Sequence, residues 1–229
     1  SINKEFESLF KINAYNSSLL FNPNEVLNNA GSFFKVYTPF WKNALNKLNL
    51  REPLPLPNIK YVYQKEILSL KNIAISDVDE KWEKKILSYF NPGEISAREM
   101  LGKTSTNIKG YSEGRDFPIK NNTSQLSPYI ARGELSVNEI FYLMRKNKKK
   151  ININDYAKFT SQLGWREFSY NILYNFPKLP RKNFISKFDN FPWSKNSKLL
   201  NLWKKGLTGY PIVDAGMREL RTTGYMHNR

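Results

Sequence analysis

The chain has 229 residues, enough for one large domain or two small ones with a substantial core. It carries 36 Lys and Arg against 20 Asp and Glu, and the formal net charge of +16 favours a polyanionic partner, nucleic acid before membrane. A Lys-rich composition that only keeps the protein in solution gives the same count. The lack of Cys excludes disulfides, thiolate metal sites and a Cys nucleophile, and a single His excludes a His-rich metal site.

The sequence shows no signal for membrane insertion or export. No apolar run reaches the roughly 18 residues that a membrane span needs, and no signal peptide opens the chain. We therefore expect a cytoplasmic protein with no membrane partner. The first residue is Ser1, not Met, and Arg229 follows a helix-end pattern with no tail. Both details favour a fragment of a longer protein.

The N-terminal residues combine helix and strand signals. Residues 6–10 suit a short helix, and residues 18–21 (SLLF) suit a short buried strand that ends in an Asn-Pro-Asn turn. Residues 36–38 favour a second extended piece. We therefore expect α/β character in this part of the chain.

A helix and a linker follow. Thr38-Pro39 resembles a cap with Pro at the first helical position, and it predicts a helix over residues 40–48. The proline-rich residues 51–58 (REPLPLPN) exclude regular helix and central strand, and they predict an extended linker.

From residue 79 onward the signals are helical. Helices are predicted over residues 79–89, from Ser96 through Leu101, over 137–146 behind a capping box of Ser136 and Glu139, and from Pro211 to Gly224. The polar residues 146–154 predict a loop, and three prolines between residues 177 and 192 break up a long irregular connection.

The longest predicted helix has Asp155 as its N-terminal cap and stops at Pro177. At 100° per residue, one arc of this helix mixes aromatic, amide and guanidinium groups, where a core-facing helix shows aliphatics. The arc contains Phe159, Gln162, Leu163, Trp165, Arg166, Ser169 and Tyr170. One interpretation is the floor of a cavity for a flat, anionic ligand. The other is an amphipathic helix with a buried Trp and a solvated Arg–Glu pair.

Four stretches, taken together, resemble the photolyase/cryptochrome family, and DNA photolyases most closely. They are SLLFNPNEVLNNAG…YTPFWK at 18–42, YSEGRDFPIKNNTSQLSPYIARGELS at 111–136, FTSQLGWREFSYNILYNFP at 159–177 and WKKGLTGYPIVDAGMRELRTTGYMHNR at 203–229. The resemblance implies a mainly α fold. Residues 1–40 would be the remnant of an α/β antenna domain, residues 41–93 an interdomain linker with helices, and residues 94–229 the truncated N-terminal part of a helical FAD-binding domain.

The resemblance also implies light-driven repair of cyclobutane pyrimidine dimers in DNA by electron transfer from reduced FAD, with no metal. The cofactor residues would be Tyr111, Thr123, Ser124, Gln125, Leu126, Ser127, Phe159 and Arg166. Residues 123–127 match the segment that wraps the FAD pyrophosphate, although Gln125 stands where the family commonly has Arg. A plain Ser-Pro helix cap and ordinary core aromatics are the alternatives for these positions.

The same resemblance assigns the DNA contacts and an electron path. Damaged DNA would meet Arg115, Gln162, Trp165, Asn228 and Arg229, and Trp193 and Trp203 would carry electrons toward the flavin. At the position of Gln162, (6-4) photolyases have Gln and dimer-repairing enzymes usually have a carboxylate, whereas Asn228 stands where dimer-repairing enzymes have Asn. We give Asn228 more weight, because (6-4) repair requires a proton shuttle from a His at that position.

Three further functions stay open at this point: a (6-4) photolyase, a signalling cryptochrome and a non-enzymatic basic nucleic-acid-binding module. We expect a monomer. The antenna chromophore is left unassigned, because most of its domain is absent, and this fragment alone is expected to be inactive.

Overall fold

The structure of the protein is a computed structural model that describes residues 13, 15–55, 57, 58, 60 and 79–228. The helix predicted at residues 6–10 lies outside the described residues, as does Arg229. Of the proline-rich linker, residues 51–55, 57 and 58 are described, and they have no regular secondary structure.

The described part of the chain is mainly α, which confirms the predicted fold class. Its α-helices are α1 (Tyr37–Lys47), α2 (Glu80–Leu87), α3 (Glu94–Thr106), α4 (Tyr111–Gly114), α5 (Ser127–Arg132), α6 (Val137–Lys146), α7 (Ile153–Asn175), α8 (Ser197–Lys205) and α9 (Pro211–Thr223). Short 3₁₀ turns occur at Lys148–Lys150 and Ser186–Phe188. A single antiparallel bridge between Leu27 and Phe33 is the only β pairing that these residues form.

The strand predicted at residues 18–21 is wrong. The backbone N–H of Leu20 donates a hydrogen bond to the carboxylate of Glu167 on α7 (2.8 Å), and the N–H of Phe21 donates one to the same carboxylate. A side chain therefore takes the hydrogen bonds that a neighbouring strand takes in a sheet. The extended piece expected at residues 36–38 is also shorter than predicted, since Val36 is extended but Tyr37 already begins α1.

Several helix ends follow the predicted local chemistry. Ser136 caps α6 by accepting a hydrogen bond from Asn138 N, although its expected partner Glu139 pairs with Arg98 (3.7 Å). Pro211 begins α9, and Gly224 ends it in the left-handed conformation (φ 73°) that L side chains rarely adopt.

The start of α7 differs from the prediction. Asn152, not Asp155, is the N-cap, and its side chain accepts a hydrogen bond from Asn154 N. Asp155 lies one turn further on and is buried, because its carboxylate binds the start of α4. The helix ends at Asn175, two residues before Pro177, as the proline predicts.

Helix α7 forms the common wall of two hydrophobic clusters. The larger cluster includes Ala97, Leu101, Leu126, Tyr129, Ile140, Phe141, Met144, Phe159 and Leu163, from α3, α5, α6 and α7. The smaller one contains Phe21, Val26, Phe40 and Ala44, packed against Phe168 of α7. The segment at residues 20–44 thus packs directly on α7, while the predicted domain boundaries at residues 40 and 93 stay predictions.

Close packing of α1 on α7 depends on Gly164. A Cβ atom at this position would lie 2.6–2.8 Å from three ring atoms of Trp41. The glycine therefore lets the Trp41 indole lie against the α7 backbone. None of the helices in the described ranges has both the length and the apolarity that crossing a membrane requires.

Candidate functional site

The loop between α3 and α5 is anchored to α7 by one buried carboxylate. Asp155 accepts hydrogen bonds from the backbone N–H groups of Gly110 (2.9 Å) and Ser112 (2.7 Å), and so it caps α4 from a neighbouring helix. Burial alone raises the pKa of Asp155, but the hydrogen bonds from Ser112 and Gly110 outweigh that effect and hold this pKa below its usual value. The carboxylate is therefore ionised at neutral pH.

A second anchor lies on the other side of the loop. The Asn122 amide donates a hydrogen bond to Gly110 O (3.0 Å), and its side chain packs so closely on Gly114 that a Cβ atom there would overlap it. The chain after α4, at Asn122, is thus held against both ends of α4.

Tyr111, the first residue of α4, lies buried between two other predicted site residues. Its ring meets the ring of Phe159 edge to face at 5.5 Å, and the Arg115 guanidinium lies 5.8 Å from its centroid. Burial raises the pKa of the Tyr111 phenol above its usual value, against the opposing effect of Arg115. The phenol is therefore a neutral hydrogen-bonding group and a stacking surface.

The first two residues of the hydroxyl-rich segment 123–127 face a small polar cavity. Thr123 and Ser124 line this cavity of about 80 Å³ together with Tyr111 and Asn122. Gln125 has a φ of +52°, the only positive φ of a non-glycine residue in the described chain, which marks a strained backbone position. Leu126 is then buried in the core, while exposed Ser127 begins α5.

The chemistry of this cavity suits one phosphate-sized group. Its lining offers four hydroxyls, three amides and the ammonium of Lys109, all of which are groups that donate hydrogen bonds to an anion. Its volume lies well below the roughly 300 Å³ at which pockets for whole cofactors begin. The residues therefore fit part of a dinucleotide such as FAD, and the rest would extend beyond the cavity.

Arg115 differs from the sequence expectation. An arginine that meets DNA phosphates, or an ordinary solvated one, projects from the surface, yet Arg115 is only 7% exposed. It lies against Tyr111 and 3.9 Å from Asp116. The predicted phosphate contact stays a prediction, and it requires the guanidinium to leave this position.

The exposed face of α7 carries Gln162 and Trp165. Trp165 is 47% exposed, and one face of its indole stacks on Tyr37 of α1 at 3.8 Å and 8° between ring planes. Gln162, one turn earlier, is half-buried and donates a long hydrogen bond to Lys158 O (3.4 Å). An amide and a large aromatic surface thus lie side by side, as a flat ligand with polar edges requires.

The burial of Trp165 and Glu167 is the opposite of what the amphipathic interpretation of α7 predicts. That interpretation expected a buried Trp and a solvated Arg–Glu pair, whereas Trp165 is half-exposed and Glu167 is only 3% exposed. Arg166 donates a hydrogen bond to Glu167 (3.0 Å) and lies over the Tyr170 ring at 4.8 Å. Burial raises the pKa of Glu167 to about 7, against the hydrogen bonds from Leu20 and the charge of Arg166.

The remaining predicted residues lie at the C-terminal helices. Trp193 precedes α8, is 70% exposed and contacts Phe191 (4.7 Å). Trp203 of α8 lines an apolar groove of about 720 Å³ with Val213 and Met217 of α9 and with Met226. Asn228 follows closely and is exposed. The structure therefore places Trp203 in one groove with Met226 and His227, the two residues before Asn228.

The structure brings together some predicted residues and leaves others apart. Tyr111, Thr123 and Ser124 share one cavity, and Phe159 contacts Tyr111. Arg166 is held instead by Glu167 and Tyr170.

Sequence reasoning missed four residues that support the site. They are Tyr37, Asn122, Asp155 in its buried role, and Glu167. Except for the Arg166 side chain next to Glu167, their partners are distant in the sequence or belong to the backbone, as Leu20 N does for Glu167, so no local pattern identifies their roles.

Comparisons with known proteins extend over nearly the whole chain. A family model described as "FAD binding domain of DNA photolyase" matches residues 159–229. The deoxyribodipyrimidine photo-lyase of Agrobacterium fabrum is 36% identical over 222 residues, which make up 95% of this chain and 46% of that protein. Cryptochrome-2 of Arabidopsis thaliana is 30% identical, over 99% of this chain and 39% of that protein. The chain spans about half the length of the curated relatives it matches.

Solved structures agree with the sequence matches. A bacterial class III photolyase from Agrobacterium tumefaciens superimposes with a TM-score of 0.85 at 35% identity, and the match covers 100% of this chain and 48% of that one. A Synechocystis cryptochrome superimposes with a TM-score of 0.70 at 27% identity, over 94% of this chain and 46% of that one. The fold of the described residues and the sequence similarity agree: this chain is similar to DNA photolyases and cryptochromes, and its residues 159–229 match the FAD-binding domain of DNA photolyase.

Proposed function

We propose that the whole protein is a FAD-dependent lyase that repairs cyclobutane pyrimidine dimers in DNA under light. The observation that carries this proposal is Trp165, a half-exposed indole that is supported on one face and lies beside the amide of Gln162. A pyrimidine dimer taken out of the DNA stack needs such a flat apolar surface together with polar groups for its edges. The names of the matched photo-lyases support the same substrate class.

The flavin would be held by residues of both α7 and the loop 110–127. Thr123 and Ser124 would donate hydroxyl hydrogen bonds to a phosphate. Backbone N–H groups at Gln125, Leu126 and Ser127 would add to them, although the N–H of Leu126 also donates a long hydrogen bond to Ser124 Oγ (3.5 Å). Tyr111 and Phe159 would supply aromatic surface beside the cofactor. When bound and reduced, FAD supplies the electron that opens the cyclobutane ring.

Arg166 is proposed to bind the cofactor phosphates with the N–H groups that Glu167 leaves unused. Its guanidinium has five donors, of which one is committed to the Glu167 carboxylate at 3.0 Å. Trp193 and Trp203 are proposed to carry electrons to the flavin from the surface, which suits their exposure of 70% and 47%.

The net charge of +16 would attract the DNA, with Arg115, Asn228 and Arg229 near the lesion. Such contacts to phosphates fix position and carry no sequence information, as repair at any sequence requires.

The choice of lesion follows from Gln162 and Asn228. Splitting a cyclobutane ring after electron injection needs no proton donor from the protein, so an amide at position 162 replaces a carboxylate with partial loss. Reversing a (6-4) photoproduct returns a hydroxyl and needs a proton shuttle, which Asn228 lacks the chemistry to provide. We therefore propose cyclobutane dimers as the substrate.

The test uses the whole protein with its flavin reduced, under blue light, and oligonucleotides that carry one lesion of either type. We expect repair of the cyclobutane dimer and none of the (6-4) lesion. Gln162→Glu should increase the repair yield, because a carboxyl group, unlike an amide, can hold a proton and donate it in a hydrogen bond to the anionic intermediate. Such a bond contributes about 1–3 kcal/mol, or roughly 5- to 150-fold in rate. Repair of the (6-4) lesion alone would contradict the proposed substrate.

A cryptochrome is the second candidate, because the relatives include Arabidopsis cryptochromes and the Synechocystis cryptochrome. A cryptochrome would bind flavin and repair neither lesion. A non-enzymatic basic module would purify without the flavin absorbance band, so one spectrum separates it from both flavoproteins.

A further inference from the structure

Trp165 is held by an aromatic cluster that crosses from α7 to α1. Tyr37 stacks on the indole at 3.8 Å, and Phe168 meets both rings edge to face at 5.9 Å. Phe40, one turn after Tyr37, packs on Phe168 at 5.3 Å. These four residues form the α1–α7 aromatic cluster, and no second ring among the described residues stacks on Trp165.

The Tyr37 ring has little freedom to rotate. Its hydroxyl donates a hydrogen bond to Ser161 O (2.9 Å) and lies 3.1 Å from Ser161 Oγ, so the phenol is fixed to the α7 backbone one turn before Trp165. Burial raises the pKa of Tyr37, and the phenol is therefore a neutral donor at physiological pH. The close approach of Trp41 to Gly164 holds α1 against the same stretch of α7.

An indole on a helix surface otherwise rotates among several side-chain conformations. A ring stacked nearly parallel on one face, at 8° between planes, selects one of them and leaves the opposite face for a ligand. Preorganising a stacking surface before binding lowers the entropy cost of ligand binding.

We propose that Tyr37 is a positioning residue for substrate: it holds the Trp165 indole in the plane on which a pyrimidine dimer stacks. This inference rests on the proposed function and extends it, because it adds α1 to the substrate site. The residue acts through Trp165 and does not itself contact the DNA.

The test measures binding in the dark, so it does not depend on turnover. The probe is a DNA oligonucleotide with a single thymine cyclobutane dimer, and the same oligonucleotide without the lesion gives the non-specific affinity. The measured quantity is the ratio of the two affinities, for the whole protein and its variants. A role limited to stability or to non-specific DNA binding leaves this ratio unchanged.

Tyr37→Leu should lower the ratio about two- to thirteenfold, the range that an aromatic pair contributes beyond its buried area. Tyr37→Phe keeps the ring and loses the Ser161 bonds, and it should retain most of the discrimination. Tyr142→Leu is the matched control, because Tyr142 is also partly buried and its hydroxyl donates a hydrogen bond to Glu52 (3.0 Å). It should leave the ratio unchanged.

A double-mutant cycle separates positioning from direct contact. If Tyr37 acts through Trp165, Tyr37→Leu should have no further effect on the ratio in a Trp165→Leu background. An undiminished effect in that background, or an unchanged ratio for Tyr37→Leu alone, would overturn the inference. A wild-type ratio near one would instead refute the proposed substrate, and the inference with it.

Discussion

Among the described residues, Glu167 is the buried carboxylate whose charge opposes the fold at neutral pH, and Glu167→Gln removes that charge. Glu167 is 3% exposed, accepts a hydrogen bond from Leu20 N at 2.8 Å and pairs with Arg166 at 3.0 Å. Its pKa rises from an ordinary 4.5 to about 7, chiefly because burial disfavours the charged form. Glutamine keeps the shape and one acceptor oxygen but does not titrate.

The sign of the pH effect follows from the raised pKa. The folded state binds more protons than the unfolded state between pH 4.5 and about 7, so the free energy of unfolding falls as pH rises through this window. The stability that protonated Glu167 contributes is fully present below pH 4.5 and lost above about pH 7. One pKa unit corresponds to about 1.4 kcal/mol, so the shift of the Glu167 pKa from 4.5 to about 7 corresponds to about 3 kcal/mol of unfolding free energy. This value is an upper limit, because the charge of Arg166 beside Glu167 also affects the titration.

Chemical denaturation of the chain at several pH values from 4.5 to 8 measures this difference. Titratable groups that both proteins share contribute equally to the two unfolding free energies, so their effect cancels in the difference. Asp155 and Asp214 have lowered pKa values and stay ionised over most of the pH window. The stability of the wild type relative to Glu167→Gln should fall by up to about 3 kcal/mol over the range. Glu80→Gln, at an 82% exposed side chain, is the matched control. A wild-type-minus-variant difference that stays constant with pH would refute the reasoning.

Three further predictions concern packing, the α4 anchor and DNA. Gly164→Ala should lower the free energy of unfolding by about 1–3 kcal/mol, measured by thermal unfolding, because the new Cβ meets Trp41. This cost exceeds the gain from the better helix propensity of Ala. Gly102→Ala in α3 is the control: its Cβ has open space, so this variant should stabilise the fold by up to about 1 kcal/mol. Asp155→Asn should lower the free energy of unfolding by about 1–3 kcal/mol and speed hydrogen exchange of the Gly110 amide, because one charge-assisted hydrogen bond is lost. An unchanged exchange rate at Gly110 would contradict the proposed role of Asp155 as an anchor of α4. DNA binding by the whole protein should weaken with salt, and Arg229→Gln should reduce the log–log slope by about one.

The sequence predicted those parts of the fold that local chemistry decides. Ser136, Pro211 and Gly224 begin or end helices because of their own side chains or backbone preferences, and the structure confirms each one. Pro177 likewise marks the end of α7.

Long-range contacts account for the failures. Residues 18–21 have the composition of a buried strand, yet the N–H of Leu20 bonds to Glu167, 147 residues away. Tyr37 and Ser161 are 124 residues apart, and nothing near either residue signals their hydrogen bond. In the candidate site, the resemblance assigned Tyr111, Thr123 and Ser124 to one cofactor, and the structure places them around one cavity. The resemblance did not identify the residues that hold them in place.

The buried stripe of α7 explains why its amphipathic pattern is hard to interpret. Phe159, Leu163, Glu167 and Asn171 follow one another at intervals of four and are all at most 6% exposed, so they form one continuous buried face. Its first half meets apolar side chains, whereas its second half meets backbone: Glu167 accepts from Leu20 N, and Asn171 donates to Pro23 O (3.0 Å). A backbone segment without regular structure needs polar partners, so the stripe turns from apolar to polar without leaving the interior. The side chains between these positions, Gln162 and Trp165 among them, are thereby presented at the surface from a rigid helix, which is where a site that must hold a flat ligand in one orientation is best built.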